Sequence, residues 1–186
     1  MSRHSNPHVS LTESLALELH GQEYYPHLQR VRAYYLELAA LLPEGLLAPA
    51  EIECGEHAAL LHDSIEDRHT TRPELEARGY SSRVVAIIEG LTRDPARQTY
   101  HDKMAETAAS GDLVLIMGKL ADNRDNSTPE RIASLPPERR SLIARYRKAR
   151  RTLFEGLATE LRRQGIGEDA IDRIELWLGN KDTSKW

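Results

Sequence analysis

The stretch Leu113–Asn126, LVLIMGKLADNRDN, constrains the fold more than any other part of this chain. Leu113, Val114, Leu115, Ile116, Met117 and Leu120 are apolar on nearly every side of a helix, so other helices have to surround it. Lys119 and Asp122 interrupt that surface, and buried lysines and aspartates are rare unless paired. Lys119, Asp122 and Asn126 fall at i, i+3 and i+7 and therefore line one stripe. Two readings follow. Lys119 and Asp122 form a mutual ion pair with Asp125 and Asn126 capping the helix end, or they belong to a buried polar site completed from elsewhere.

A second string, ALLHDSIED from Ala59 to Asp67, favours the completed site. Its apolar lead-in reads as buried, yet it ends in His62, Asp63, Glu66 and Asp67. On a helix Glu66 lies one turn beyond His62 and Asp67 one turn beyond Asp63. Burying acids together is unfavourable unless a cation or hydrogen bonds compensate. With His27 upstream, the two strings offer two imidazoles and enough carboxylates for two of them to converge on a single ion.

The punctuation between these strings is helix after helix. Leu, Ala, Arg and Glu dominate, aromatics make up only 5%, and β-branched alternation is almost absent. Ser10-Leu11-Thr12-Glu13 reads as a capping box opening a helix that Gly21 ends near His20. Pro26 reads as the first residue of a helix through Leu42, stopped by Pro43 and Gly45. Further helices are expected from about Ala50 into the His62-Asp63 string and from Thr71 to Gly79. Others should follow Ser81 or Ser82, run from Thr99 towards Gly111, and span Asp112 to about Arg124. Thr128-Pro129-Glu130 restarts the chain, Pro136-Pro137 opens the longest helix, to about Gln164, and a last one spans Glu168 to Leu178. The expected fold is all-α: one domain over 1–186, with a core of about 10–165, a C-terminal helix 168–178 and a frayed tail 180–186.

Composition narrows the classes further. The net charge of −4 argues against nucleic acid as the partner of the whole chain. The run Arg139-Arg140, Arg145, Arg147, Lys148, Arg150, Arg151 alternates with Leu142, Ile143, Tyr146, Ala149 and Leu153, as on a solvated or dimer-facing helix, and a homo-oligomer is compatible with it. One cysteine, Cys54, gives no internal disulfide and fits a reducing compartment. No run has the 18–20 apolar residues, roughly, of a membrane span, and no apolar segment follows Met1 as in a signal peptide, so a cytoplasmic location is expected. His57 points too far round its helix from His62 to share an ion. His69 and His101 read as solvated loop residues, His4 and His8 as disordered, and Tyr24-Tyr25 and Tyr34-Tyr35 as core and rim packing.

The order His27, His62-Asp63-Ser64-Ile65-Glu66-Asp67, Lys119-Leu120-Ala121-Asp122 resembles the HD-domain hydrolases of the RelA/SpoT type, which remove pyrophosphate from the alarmone ppGpp. His20-Gly21-Gln22, Leu91-Thr92-Arg93 and Tyr100 extend the likeness, and the second string is similar to that of small stand-alone members. The resemblance implies an HD-domain helical bundle with His27, His62, Asp63 and Asp122 as metal ligands. It also implies Glu66 and Asp67 as catalytic carboxylates that orient or deprotonate a water. Manganese is the metal the family uses, and Fe²⁺, Co²⁺ or Zn²⁺ suit the same donors. Lys119, Asn126, Arg93 and Arg124 are the expected contacts to a nucleotide substrate; the first two match the motif, and the arginines are chosen for their charge. Where the family carries a basic, glycine-containing stretch before His27, this chain has Glu23-Tyr24-Tyr25-Pro26, and Arg68 stands where a threonine usually follows the acid pair.

The expected activity is a metal-dependent nucleotide phosphohydrolase, first of all a (p)ppGpp 3′-pyrophosphohydrolase. The alternatives are a phosphatase of nucleoside monophosphates, dNTPs or NADPH, or an HD domain kept as a nucleotide sensor.

Overall fold

The computed structural model describes residues 7–179, and among them only helices and turns occur. They are α1 (Pro7–Leu41), α2 (Pro49–Leu61), α3 (Arg72–Ala77), α4 (Ser82–Leu91), α5 (Tyr100–Ala109), α6 (Leu113–Asn126), α7 (Pro129–Ala133), α8 (Ser141–Arg163) and α9 (Glu168–Trp177). A 3₁₀ turn, Pro137–Arg139, precedes α8. No described helix is long and apolar enough to cross a membrane.

Helix α6 sits at the centre, against α1, α2, α4, α5 and α8. Its apolar residues Leu113, Val114, Ile116, Met117 and Leu120 are all buried, as a surface apolar all round demands. Helix α2 crosses α1 closely: a Cβ on Gly55 would meet the Tyr35 hydroxyl at 2.0 Å, so only glycine fits there. Helix α8 turns one stripe inward, with Ala149, Leu153, Leu157 and Leu161 buried.

Most helix starts lie where the sequence places them, because capping is local. Thr71 and Glu74 form a reciprocal capping box, as do Thr99 and Asp102, and the Ser81 side chain accepts from Val84 N. The start at Ser10 is corrected. Helix α1 already runs from Pro7, a residue whose fixed φ suits a first helical turn, so Ser10 is interior and Ser14 Oγ donates back to its carbonyl. His8 therefore lies on a helix, not in a disordered arm. Gly21 breaks α1 as expected, with φ 76° and ψ 171°, a conformation open to glycine. The second half resumes before Pro26, which lies within the helix and not at its first position. Pro136-Pro137 gives the 3₁₀ turn, and α8 proper starts at Ser141. His4 and the tail 180–186 fall outside the described residues.

Candidate metal centre

Three helices bring their polar ends to one point. His27 follows the Gly21 break on α1, His62 ends α2 with Asp63 next in the turn, and Asp122 lies on the last turns of α6. His27 Nε2 is 3.8 Å from Asp122 Oδ1 and 3.9 Å from Asp63 Oδ2. His62 Nε2 is 3.8 Å from Asp122 Oδ1 and 2.9 Å from Asp63 Oδ2. Both histidines and Asp122 are buried, and their ligand atoms lie within 4.8 Å of one another.

The far sides of the imidazoles decide which nitrogen faces inward. His27 Nδ1 donates to Asp125 Oδ2 at 2.7 Å and His62 Nδ1 donates to Ala59 O at 2.9 Å. Carboxylate and carbonyl oxygens only accept, so each Nδ1 carries a proton and each Nε2 is the ring nitrogen turned to the centre. His62 Nε2 is buried and in no hydrogen bond, although Asp63 Oδ2 is so near. The donor set fits a divalent cation.

Electrostatics point the same way. Burial would lower the His62 pKa, but Asp63 and Asp122 outweigh it and raise it. The Asp63 carboxyl, which burial alone would raise, is held well below the usual range by His62 and Lys119. Lys119 is raised in spite of its burial by Asp122 and Asp63. Unlike charges thus hold one another in the absence of a cation.

Glu66 and Arg93 meet beside the cluster: Glu66 Oε2 accepts from Arg93 N at 2.8 Å, and its Oε1 is 3.8 Å from the guanidinium. Asp67 is largely exposed, and the partial burial of its carboxyl and the Asp63 charge both raise its pKa. Lys119 Nζ lies 3.2 Å from Asp122 Oδ2, and Asn126 Nδ2 donates to Asp122 Oδ1. Both residues expected at the substrate therefore grip the carboxylate of α6, and the ion pair read from the sequence is formed. Arg124 is not brought to the cluster. Its guanidinium lies 3.8 Å from the Trp177 ring centroid and 4.7 Å from that of Tyr34, and it donates to Trp177 O. A flat cation covered by two aromatic faces clamps α9 to α1 and is turned away from the site.

Sequence reasoning missed three contributors. Asp125 is fully buried and links His27 to Arg30, whose Nε donates to it at 2.6 Å; burial opposes but His27 and Arg30 bring its pKa down to about 2. The signal was its position three residues beyond Asp122, on the same face. Tyr24 donates its hydroxyl to Asp63 Oδ2, and burial and that charge raise its pKa. His20 stacks on Tyr24 at 5.4 Å, and His69, expected to be solvated, meets the His20 ring edge-on. His57 is remote: its Nδ1 lies 2.8 Å from Thr12 Oγ1, which is 3.0 Å from the Tyr80 hydroxyl. His101 packs half-buried beside Tyr100 on α5.

No family model matches the chain. A guanosine-3′,5′-bis(diphosphate) 3′-pyrophosphohydrolase of Aquifex aeolicus (strain VF5) is 37% identical over 75 residues, 37% of this chain and 10% of that protein. The chain thus spans about a tenth of that relative's length. Among solved structures, a metazoan ortholog of SpoT, described as hydrolysing ppGpp, superposes with a TM-score of 0.62 at 20% identity. The match covers 89% of this chain and 100% of that one. The all-helical fold is therefore shared.

Proposed function

We propose that this chain is a metal-dependent nucleotide phosphohydrolase whose first substrate is a purine nucleotide with a 3′-diphosphate, as in ppGpp. The observation that carries this reading is the convergence of His27 Nε2, His62 Nε2, Asp122 Oδ1 and Asp63 Oδ2, with both Nδ1 protons fixed from behind. The named activities of the Aquifex and metazoan proteins support the choice of substrate.

A divalent cation held by these four residues, Mn²⁺ by preference, supplies Lewis acidity toward water and a phosphoryl oxygen. The protein's own groups do the rest. Glu66, held by Arg93 N, accepts the proton of the attacking water. Asp67 orients that water from the rim. Lys119 and Asn126 keep Asp122 turned toward the histidines, and Arg93 stands where a phosphate would meet the acid pair. An acid pair beside the cluster favours hydrolysis over mere sensing, since a sensor has no water to activate.

Protein purified without chelator is expected to hold divalent metal by elemental analysis, and Asp63→Ala to lose both metal and turnover. Glu66→Gln should keep the metal yet lose roughly two to four decades of rate, the range of general acid–base groups. Unchanged hydrolysis in that variant would remove Glu66 from its role. The substrate is tested by pyrophosphate release from ppGpp against phosphate release from nucleoside monophosphates, dNTPs and NADPH at fixed Mn²⁺. Faster turnover of a monophosphate would replace the alarmone and leave the phosphohydrolase standing.

A further inference from the structure

A second set of metal-type donors stands at the exposed side of this cluster. His20, Asp67 and His69 each present a ligand atom, and the three atoms lie within 4.8 Å of one another. They come from two pieces of chain. His20 is the last residue before the Gly21 break in α1, and Asp67 and His69 flank Arg68 in the turn that follows α2. The His20 and His69 rings meet edge to face, with centroids 4.8 Å apart.

Two costs show that this grouping is held in place. His20 Nε2 is buried and has no hydrogen-bond partner, a penalty of about 1–3 kcal/mol for a polar atom taken out of water. Arg68 adopts φ 63°, in the left-handed region that side chains avoid by roughly 1–2 kcal/mol per residue. The turn is nonetheless well tied: His69 N and Thr70 N both donate to Ser64 O, at 2.9 and 3.2 Å, and Asp67 N donates to Asp63 O at 2.8 Å. Backbone bonds therefore fix the residues on either side of the strained one and carry His69 back against His20.

The charge around the cluster supplies a reason. Asp63, Glu66, Asp67 and Asp122 are answered nearby by Lys119 and Arg93, while Arg30 is engaged by Asp125. Between His20 and His27 the chain has Glu23 and neither lysine nor arginine. One divalent ion at the buried centre would bring these charges to balance but would leave no excess to attract a phosphate group.

We propose that His20, Asp67 and His69 form a second site, at the exposed side of the buried cluster, for a divalent first-row transition-metal ion. Two imidazoles and one carboxylate leave coordination positions open to water or to an oxygen of an anion. Asp67 needs only one oxygen as ligand, so the other remains available to orient a water. The assignment stands on these three residues whether or not the buried cluster works as proposed above.

The test counts ions. The full chain is stripped with chelator, dialysed against Mn²⁺ or Co²⁺, and assayed for bound metal by elemental analysis. Two ions per chain are expected, falling to one in His69→Ala and one in His62→Ala. His69 is exposed, so that variant should fold, and circular dichroism checks it; His20→Gln gives a second route to the same loss. A parent that binds one ion, kept in His69→Ala and His20→Gln and lost in His62→Ala, overturns the second site and leaves the buried centre intact. A single ion lost in His69→Ala and kept in His62→Ala upholds the second site and overturns the buried one. Two ions retained in both His69→Ala and His20→Gln overturn the assignment of these residues.

Discussion

Helices α6 and α8 both carry many charges, and the structure treats them in opposite ways. On α6, Lys119, Asp122 and Asp125 are buried, and each is engaged by named partners: Lys119 with Asp122, Asp122 with Asn126 and the histidines, Asp125 with His27 and Arg30. On α8, Arg145, Arg147, Lys148 and Arg151 face water while Ala149, Leu153 and Leu157 face the core. A charge is informative about chemistry where burial forces it to find partners; on a half-solvated helix it need only keep its face wet. Arg150 and Glu160 are exceptions that fit the rule, for both are buried and Glu160 pairs with Arg163. Arg150 donates to Leu178 O at 2.6 Å and to Ser127 Oγ at 3.0 Å, tying the ends of α9 and α6 to the long helix.

The largest effect expected from this contrast is at Asp125. Asp125→Ala frees the His27 ring to turn and leaves Arg30 without its carboxylate, so Mn²⁺ affinity by calorimetry should fall about 10–100-fold, the usual cost of losing such an outer partner. Affinity equal to that of the parent would mean that burial on α6 is structural only. Next comes Arg150→Ala, whose urea midpoint should report a loss of about 1.5–3 kcal/mol, the range for hydrogen bonds to a charged group. The exposed Arg147→Ala should stay within about 0.5 kcal/mol of the parent. Equal losses at Arg147 and Arg150 would erase the distinction between the two kinds of arginine.

The smallest effect is a pH dependence at the start of α6. Asp112 caps that helix by accepting from Leu115 N and pairs with Arg83 Nη1 at 2.6 Å. Burial opposes ionisation, but the Arg83 guanidinium outweighs it and holds the carboxyl below its ordinary value. A lowered folded pKa gives stability that is present above the unfolded value, about 3.9, and lost as pH falls through the folded one. Asp112→Asn should therefore melt lower than the parent at pH 7, with the gap closing below about pH 4. A gap that persists into acid would place the loss in packing and not in the charge.

What the sequence determined by itself was whatever a few neighbouring residues decide. The all-helical class, the capping boxes at Thr71 and Thr99, the break at Gly21 and the burial of α6 follow from spacing and backbone preference over one or two turns. His62, Asp63 and Asp122 stood out because acids and an imidazole close two buried apolar runs, whereas His27, which follows Tyr24-Tyr25-Pro26, was joined to them by the order of residues in the family the chain resembles. What only the tertiary structure decided was which distant side chains close on those strings. Asp125 meets His27 across 98 positions and Tyr24 meets Asp63 across 39; the spacing of Asp125 from Asp122 gives its face but not its partner, and Tyr24 leaves no local trace. Arg124 lies on α6 beside residues of the site, yet two aromatic rings from α1 and α9 cover it and turn it away. Local propensity sets each helix and its faces; the residue that a face meets depends on how the helices cross, and that is settled by burying the largest apolar surface with every enclosed charge paired.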